Sequence, residues 1–153
     1  MTQQRPDLHQ AFAAASTALG GMPDVDGVFD ELLARHQEPH RHYHDLTHVT
    51  TCLGLLEEHS TLAERPDEVR LALWFHDAVY DPRRRDNEQQ SADLAESHLR
   101  VLGVRPGPIS RITEHILATR HHDAQTGDAR LVVDLDLAIL GSPPDTYDQF
   151  EQA

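Results

Sequence analysis

His76 and Asp77 stand side by side within LALWFHDAVYDP, residues 71–82, a run that is otherwise almost wholly apolar. An ionised carboxylate in such surroundings is costly unless it is paired or bound to a metal. Taken alone, the dipeptide reads as a core histidine beside an aspartate turned to solvent. Other places in the chain repeat the puzzle. His44 and His48 are spaced i,i+4, which sets two imidazoles on one face of a helix and suits a shared metal ion. By themselves they would equally serve a solvated helix start. His121 and His122 close a helix in TRHHD, where imidazoles complement the helix dipole. Asp134 and Asp136 interrupt the apolar segment RLVVDLDLAILG. Apolar helices thus repeatedly place a metal-capable side chain where an apolar one is expected, and imidazole with carboxylate suits Zn, Fe, Ni or Mn.

The elements that must position these groups read as helices. DLHQAFAAASTALGG is an amphipathic opening helix, with Asp7 as its N-cap and Gly20-Gly21 as its stop. PDVDGVFDELLARH sets Val28, Leu32 and Leu33 on one face. A His-rich connector leads into VTTCLGLLEEHS, with Val49, Leu53 and Leu56 as the buried stripe and Cys52 as a small core residue. The next helix carries Pro66, Asp67 and Glu68 in its first turn, as a helix N-terminus favours, and extends to about Tyr80, before Pro82. DNEQQSADLAESHLRVLG has Asp86 and Gln89 at capping-box spacing and ends at Gly103. PISRITEHILATRHH turns Ile109, Ile112, Ile116 and Leu117 inward.

RLVVDLDLAILG alternates like a strand but also fits a helix face through Leu131, Leu135 and Ile139. A lone strand among helices would have no partner, so a helix is expected, stopped at Gly141. DTYDQFEQA reads as a helix that starts at Asp145 and ends before any cap, as in a chain cut inside a longer final helix. The expectation is an all-α bundle of one domain, with N-terminal helices over about 7–38, a metal-binding core over about 41–141 and the start of a C-terminal helix over 145–153.

Composition narrows the function. The formal net charge is −13 over 153 residues, which disfavours nucleic acid and anionic membranes as partners. The basic residues are all arginine, so lysine Schiff-base chemistry and a phosphate-cradling lysine are excluded. Arg83, Arg84 and Arg85 read as a solvated loop. One cysteine permits no internal disulfide, and the absence of a signal-like start or a membrane-length apolar run leads to the expectation of a cytoplasmic protein.

The order His48, His76-Asp77, then a late aspartate resembles the H…HD…D signature of the HD superfamily of metal-dependent phosphohydrolases. RHYHDLTHV, FHDAVYDP, NEQQSA, TRHH and DLDLAILG, in that order, are similar to a bacterial group of predicted phosphohydrolases within it. The likeness runs from about Arg41 to Phe150. It implies that His48, His76, Asp77 and one late aspartate bind a single divalent ion (Mn, Mg, Ni, Zn or Fe), with room for a second near the later histidines. Asp134 and Asp136 lie about 200° apart around a helix, so only one can face the ion. The Asp-x-Leu context of the superfamily points to Asp136.

The implied reaction is hydrolysis of a phosphate ester or anhydride of a small molecule, such as a nucleotide, by metal-activated water. Asp77 would be catalytic as a ligand and Glu88 as the proton carrier. Glu88 is alternatively a first-turn acid favoured by the helix dipole. Arg41, His44, Arg120, His121 and His122 flank the implied ligands and are the expected substrate contacts. Competing expectations are a metal-holding, catalytically silent module that binds a nucleotide or protein, and a di-iron oxygenase.

Overall fold

The computed structural model describes residues 4–124 and 126–138. Among them the regular structure is helical: α1 (Gln4–Ala18), α2 (Asp26–His36), α3 (Leu46–Glu58), α4 (Pro66–Phe75), α5 (Asn87–Val101), α6 (Pro106–Ala118) and α7 (Gly127–Leu137), with a short 3₁₀ turn at Ser60–Leu62. The all-α expectation holds, and the ambiguous segment that carries Asp134 and Asp136 is a helix.

α4 is the axis of the bundle. Val69 and every residue from Leu71 to Phe75 are fully buried, and the helix touches α1, α3, α5, α6 and α7. A helix apolar all round can be stable only when neighbours cover every face. Trp74 anchors the packing, with Phe29 at 5.6 Å edge-on and Phe12 at 5.9 Å and 90°. Such aromatic geometry adds about 0.5–1.5 kcal/mol per pair beyond the buried area. Gly20 (φ +99°) and Gly103 (φ +86°) turn the chain after α1 and α5. Those turns are stitched by Met22 N–H to Leu102 O at 2.7 Å and Arg105 N–H to Leu19 O at 3.0 Å.

Several local expectations are corrected. α1 begins at Gln4, so Asp7 is a first-turn acid, not the N-cap. Asp86 makes no capping bond, because Arg84 and Gln90 bind its carboxylate. Leu53 is only half-buried, and Leu117 is exposed beside a properly buried Ile109, Ile112 and Ile116. α6 stops at Ala118, so His121 and His122 lie on the turn beyond it, with His122 at φ +53°. The stop at Gly141 and the helix from Asp145 lie outside the described residues.

The correction that matters most is at α4. It ends at Phe75 rather than near Tyr80, and His76 is its C-cap. The backbone groups of the turn after His76 are bound by other elements. Arg41 binds the carbonyls of Asp77 and Ala78, Ser91 accepts Val79 N–H, and Asn87 accepts Asp81 N–H. The His-Asp pair therefore sits where the helix opens into a turn and its side chains can diverge toward one point.

Candidate metal centre

Three elements converge on the end of α4. α3 supplies His48 from its first turn, and Asp45 caps that turn by accepting His48 N–H at 3.1 Å. The cap places His44 outside the helix, so the i,i+4 pairing on one helical face is corrected. The α4 terminus supplies His76 and Asp77. α7 supplies Asp136 from its inner face, while Asp134 is exposed. Thr126 begins α7 by accepting Ala129 N–H at 3.1 Å.

One ligand atom from each of His48, His76, Asp77 and Asp136 lies within 4.8 Å of the others, and this group can hold a metal ion. The Oδ1 of Asp136 is 2.9 Å from His48 Nε2 and 3.2 Å from His76 Nε2. The Oδ2 of Asp77 is 3.1 Å from His76 Nε2 and 3.6 Å from His48 Nε2. Bonds of about 2.1 Å to one ion imply ligand–ligand edges of about 3.0 Å in an octahedron and about 3.4 Å in a tetrahedron. The four spacings have the right size for either. The donor set also fits, since two imidazoles and two carboxylates suit a borderline divalent ion.

Orientation supports the same use. His76 Nδ1–H donates to Leu73 O at 2.7 Å, which turns Nε2 toward the centre, the arrangement common to ligating histidines. The His76 side chain is 1 % exposed, whereas Asp77 and Asp136 are 17 % and 15 % exposed. The imidazoles form the floor, and solvent reaches the carboxylate side.

Electrostatics bind the four groups as a unit. Burial pulls the His48 pKa down, but the bond to Asp136 and the contact with Cys52 outweigh it and raise it to about 10. Burial likewise opposes the charged form of His76, and the carboxylates of Asp77 and Asp136 lift its pKa well above the ordinary value. The carboxylates respond in kind. Burial would raise Asp77 and Asp136, yet the His76 charge, joined by His44 at Asp77 and His48 at Asp136, holds both well below the usual range. In the metal-free protein the carboxylates thus favour the protonated imidazoles, whose positive charge stands where an ion's would.

Neither the comparison with protein families, nor those with curated proteins and solved structures, finds a match. The site's chemistry is therefore argued from its own residues.

The other expected site residues take different places. Arg41 is turned inward: its guanidinium is fully buried and its five N–H donors go to Glu38 and to the carbonyls of His44, Asp77 and Ala78. Each donor is engaged within the protein. His44 is at the rim, its Nδ1 2.9 Å from Asp77 Oδ2 and its ring 4.4 Å from that of Tyr80. Glu88 is half-buried in the first turn of α5 and is not one of the four converging residues. Arg120, His121 and His122 are exposed beyond α6 and also stand outside the group. Cys52 is a buried core residue, as expected, with Sγ 3.9 Å from His48 Nε2.

Residues that shape the turn escaped the sequence reading. Tyr80 carries His44 and stacks with His40 at 4°, while His40 Nε2–H donates to Tyr80 O at 2.9 Å. Ser91 and Asn87 hold the same turn from α5. The only signal for them was the NEQQSA block, in which polar residues recur where α5 faces the core.

Proposed function

We propose that this chain is a metal-dependent phosphohydrolase of the HD type, acting on a small phosphorylated molecule such as a nucleotide. The observation that carries the reading is the His₂Asp₂ group, with its imidazoles buried and its carboxylates partly exposed. When bound there, a divalent ion supplies Lewis acidity toward a phosphoryl oxygen and a water of lowered pKa.

The chain's own residues do the rest. The two carboxylates offset the charge of a divalent ion, so an anionic substrate meets a centre close to neutral. His44, half exposed and hydrogen-bonded to Asp77, is the side chain placed to pass a proton between the carboxylate side and solvent. Glu88 is the second proton carrier in this proposal, from the first turn of α5. Arg120, His121 and His122 offer exposed positive groups and donors to the remainder of the substrate. The net charge of −13 favours a small anion over a polyanion, which would be repelled along its length. Among the described residues no helix is long and apolar enough to cross a membrane, and we place the activity in the cytoplasm.

The test is phosphate release from a panel of nucleotides and sugar phosphates with Mn²⁺, Mg²⁺, Ni²⁺ or chelator, for wild type and Asp77→Ala. Metal-dependent release that falls to background in Asp77→Ala, with helical circular dichroism preserved, supports the proposal. Equal turnover by the variant, or no release from wild type across the panel, contradicts it.

A further inference from the structure

We infer that Arg41 is the positioning residue of the metal centre, holding Asp77 in ligating register and His44 against its carboxylate without touching ion or substrate. The inference rests on the metal-centre reading above.

Arg41 lies in the connector before α3, and its side chain is fully buried. One nitrogen, Nη1, donates to His44 O at 2.7 Å and to Asp77 O at 2.6 Å. Nη2 donates to Ala78 O at 2.9 Å. The carbonyls of Asp77 and Ala78 lie just beyond His76, the C-cap of α4. By engaging both, the guanidinium fixes the turn after the helix and sets the backbone of Asp77, hence the direction of its carboxylate. The bond to His44 O adds a second constraint, because His44 Nδ1 holds the ion-facing oxygen of Asp77 at 2.9 Å. Main chain and side chain of residues 44 and 77 are thereby closed into one ring through a single planar group.

Charge would argue against a guanidinium so close to a cation. Glu38 answers it, accepting from Nε at 3.1 Å and Nη2 at 2.9 Å. The Tyr80 ring, centred 5.7 Å from the Arg41 carbon, closes another side. A lysine cannot reproduce the contacts, since its donors radiate from one point and lack the planar fork.

The test is titration of the metal-free full chain with Co²⁺ alone, following the affinity and the visible ligand-field bands. Arg41→Gln is expected to raise the Co²⁺ Kd about 10- to 100-fold, as loss of an outer partner does at other metal sites, and to shift the bands. Arg41→Lys should fall between it and wild type. Arg111→Met is the control for general destabilisation. It breaks the pairing of Arg111 with buried Glu68 at 2.7 and 2.8 Å, about 12 Å along α4 from His76. It should leave Kd and bands unchanged.

Unaltered Co²⁺ binding in Arg41→Gln overturns the inference, as does an equal weakening in Arg111→Met. If Arg41→Gln does not fold, Arg41→Lys decides: wild-type affinity and bands overturn the inference, and weakened binding supports it. Wild type that binds no Co²⁺ overturns the metal-centre reading itself, a result distinct from the others.

Discussion

Loading the centre with metal should expel more than one proton per ion. In the metal-free protein the His48 pKa stands at about 10, and that of His76 is raised well above its ordinary value, by the carboxylates of Asp77 and Asp136. At pH 7.5 His48 then carries a proton on the ring nitrogen that an ion must occupy, and His76 is shifted in the same direction. With ordinary pKa values near 6.5, each would be about one-tenth protonated, and binding would release only about 0.2 protons in all. The carboxylates add nothing, because their pKa values are lowered and they are already ionised. Proton displacement also makes the apparent affinity fall more than about 10-fold for each unit of acidification near neutrality. Calorimetric titration with Co²⁺ at pH 7.5, in two buffers of different ionisation enthalpy, counts the protons directly. A count near 0.2 would refute the coupling drawn here. The same shift fixes a stability trend. The folded His48 value exceeds the unfolded one, so its contribution is complete below about pH 6.5 and is lost as the pH rises through about 10. The metal-free protein should therefore weaken on the alkaline side, and bound metal should remove that trend.

Acid acts elsewhere. Burial holds the His36 pKa down at about 4, and its Nε2–H donates to Trp74 O at 2.9 Å. The unfolded chain takes up a proton below about pH 6.5 that the folded chain refuses until about 4, so stability falls as pH falls through that window, by about 2 kcal/mol at pH 5. His36→Gln keeps a donor but cannot titrate; urea unfolding at pH 7.5 and 5.0 should show this increment missing from the variant, and equal pH dependence would contradict it. Asp128, at the start of α7, accepts the N–H groups of Glu64 and Arg65 at 2.8 and 2.9 Å and so clamps the chain entering α4. Asp128→Ala should cost about 1–2 kcal/mol in chemical unfolding, and a loss below about 0.3 kcal/mol would show the clamp to be idle.

Helical periodicity made most of the fold legible. Val28, Leu32 and Leu33 on α2, and Ile109, Ile112 and Ile116 on α6, are buried as their spacing implies. The opposition of Asp134 and Asp136 around a helix was equally readable, and Asp136 is the one that faces in. The end of α4 was not. LALWFHDAVY is apolar enough to read as continuous helix, and the turn that replaces its last part is held by Arg41, Ser91 and Asn87, which act from other parts of the chain. No local pattern reports such bonds. His44 misled for a different reason. Its spacing from His48 suits a helix, but Asp45 between them is a stronger N-cap and shifts the start of α3 past it. The convergence of residues 48, 76, 77 and 136 is a tertiary fact, and only the resemblance to the HD signature anticipated it.

The most direct measurement is equilibrium dialysis against Mn²⁺, Zn²⁺ or Co²⁺ followed by elemental analysis, for wild type, Asp134→Ala and Asp136→Ala. The two aspartates share a helix and a composition, and only Asp136 reaches the centre. One ion per chain in wild type and Asp134→Ala, with occupancy lost in Asp136→Ala, is the result expected of a His48–His76–Asp77–Asp136 centre. No bound ion in wild type, or full occupancy in Asp136→Ala, would contradict it.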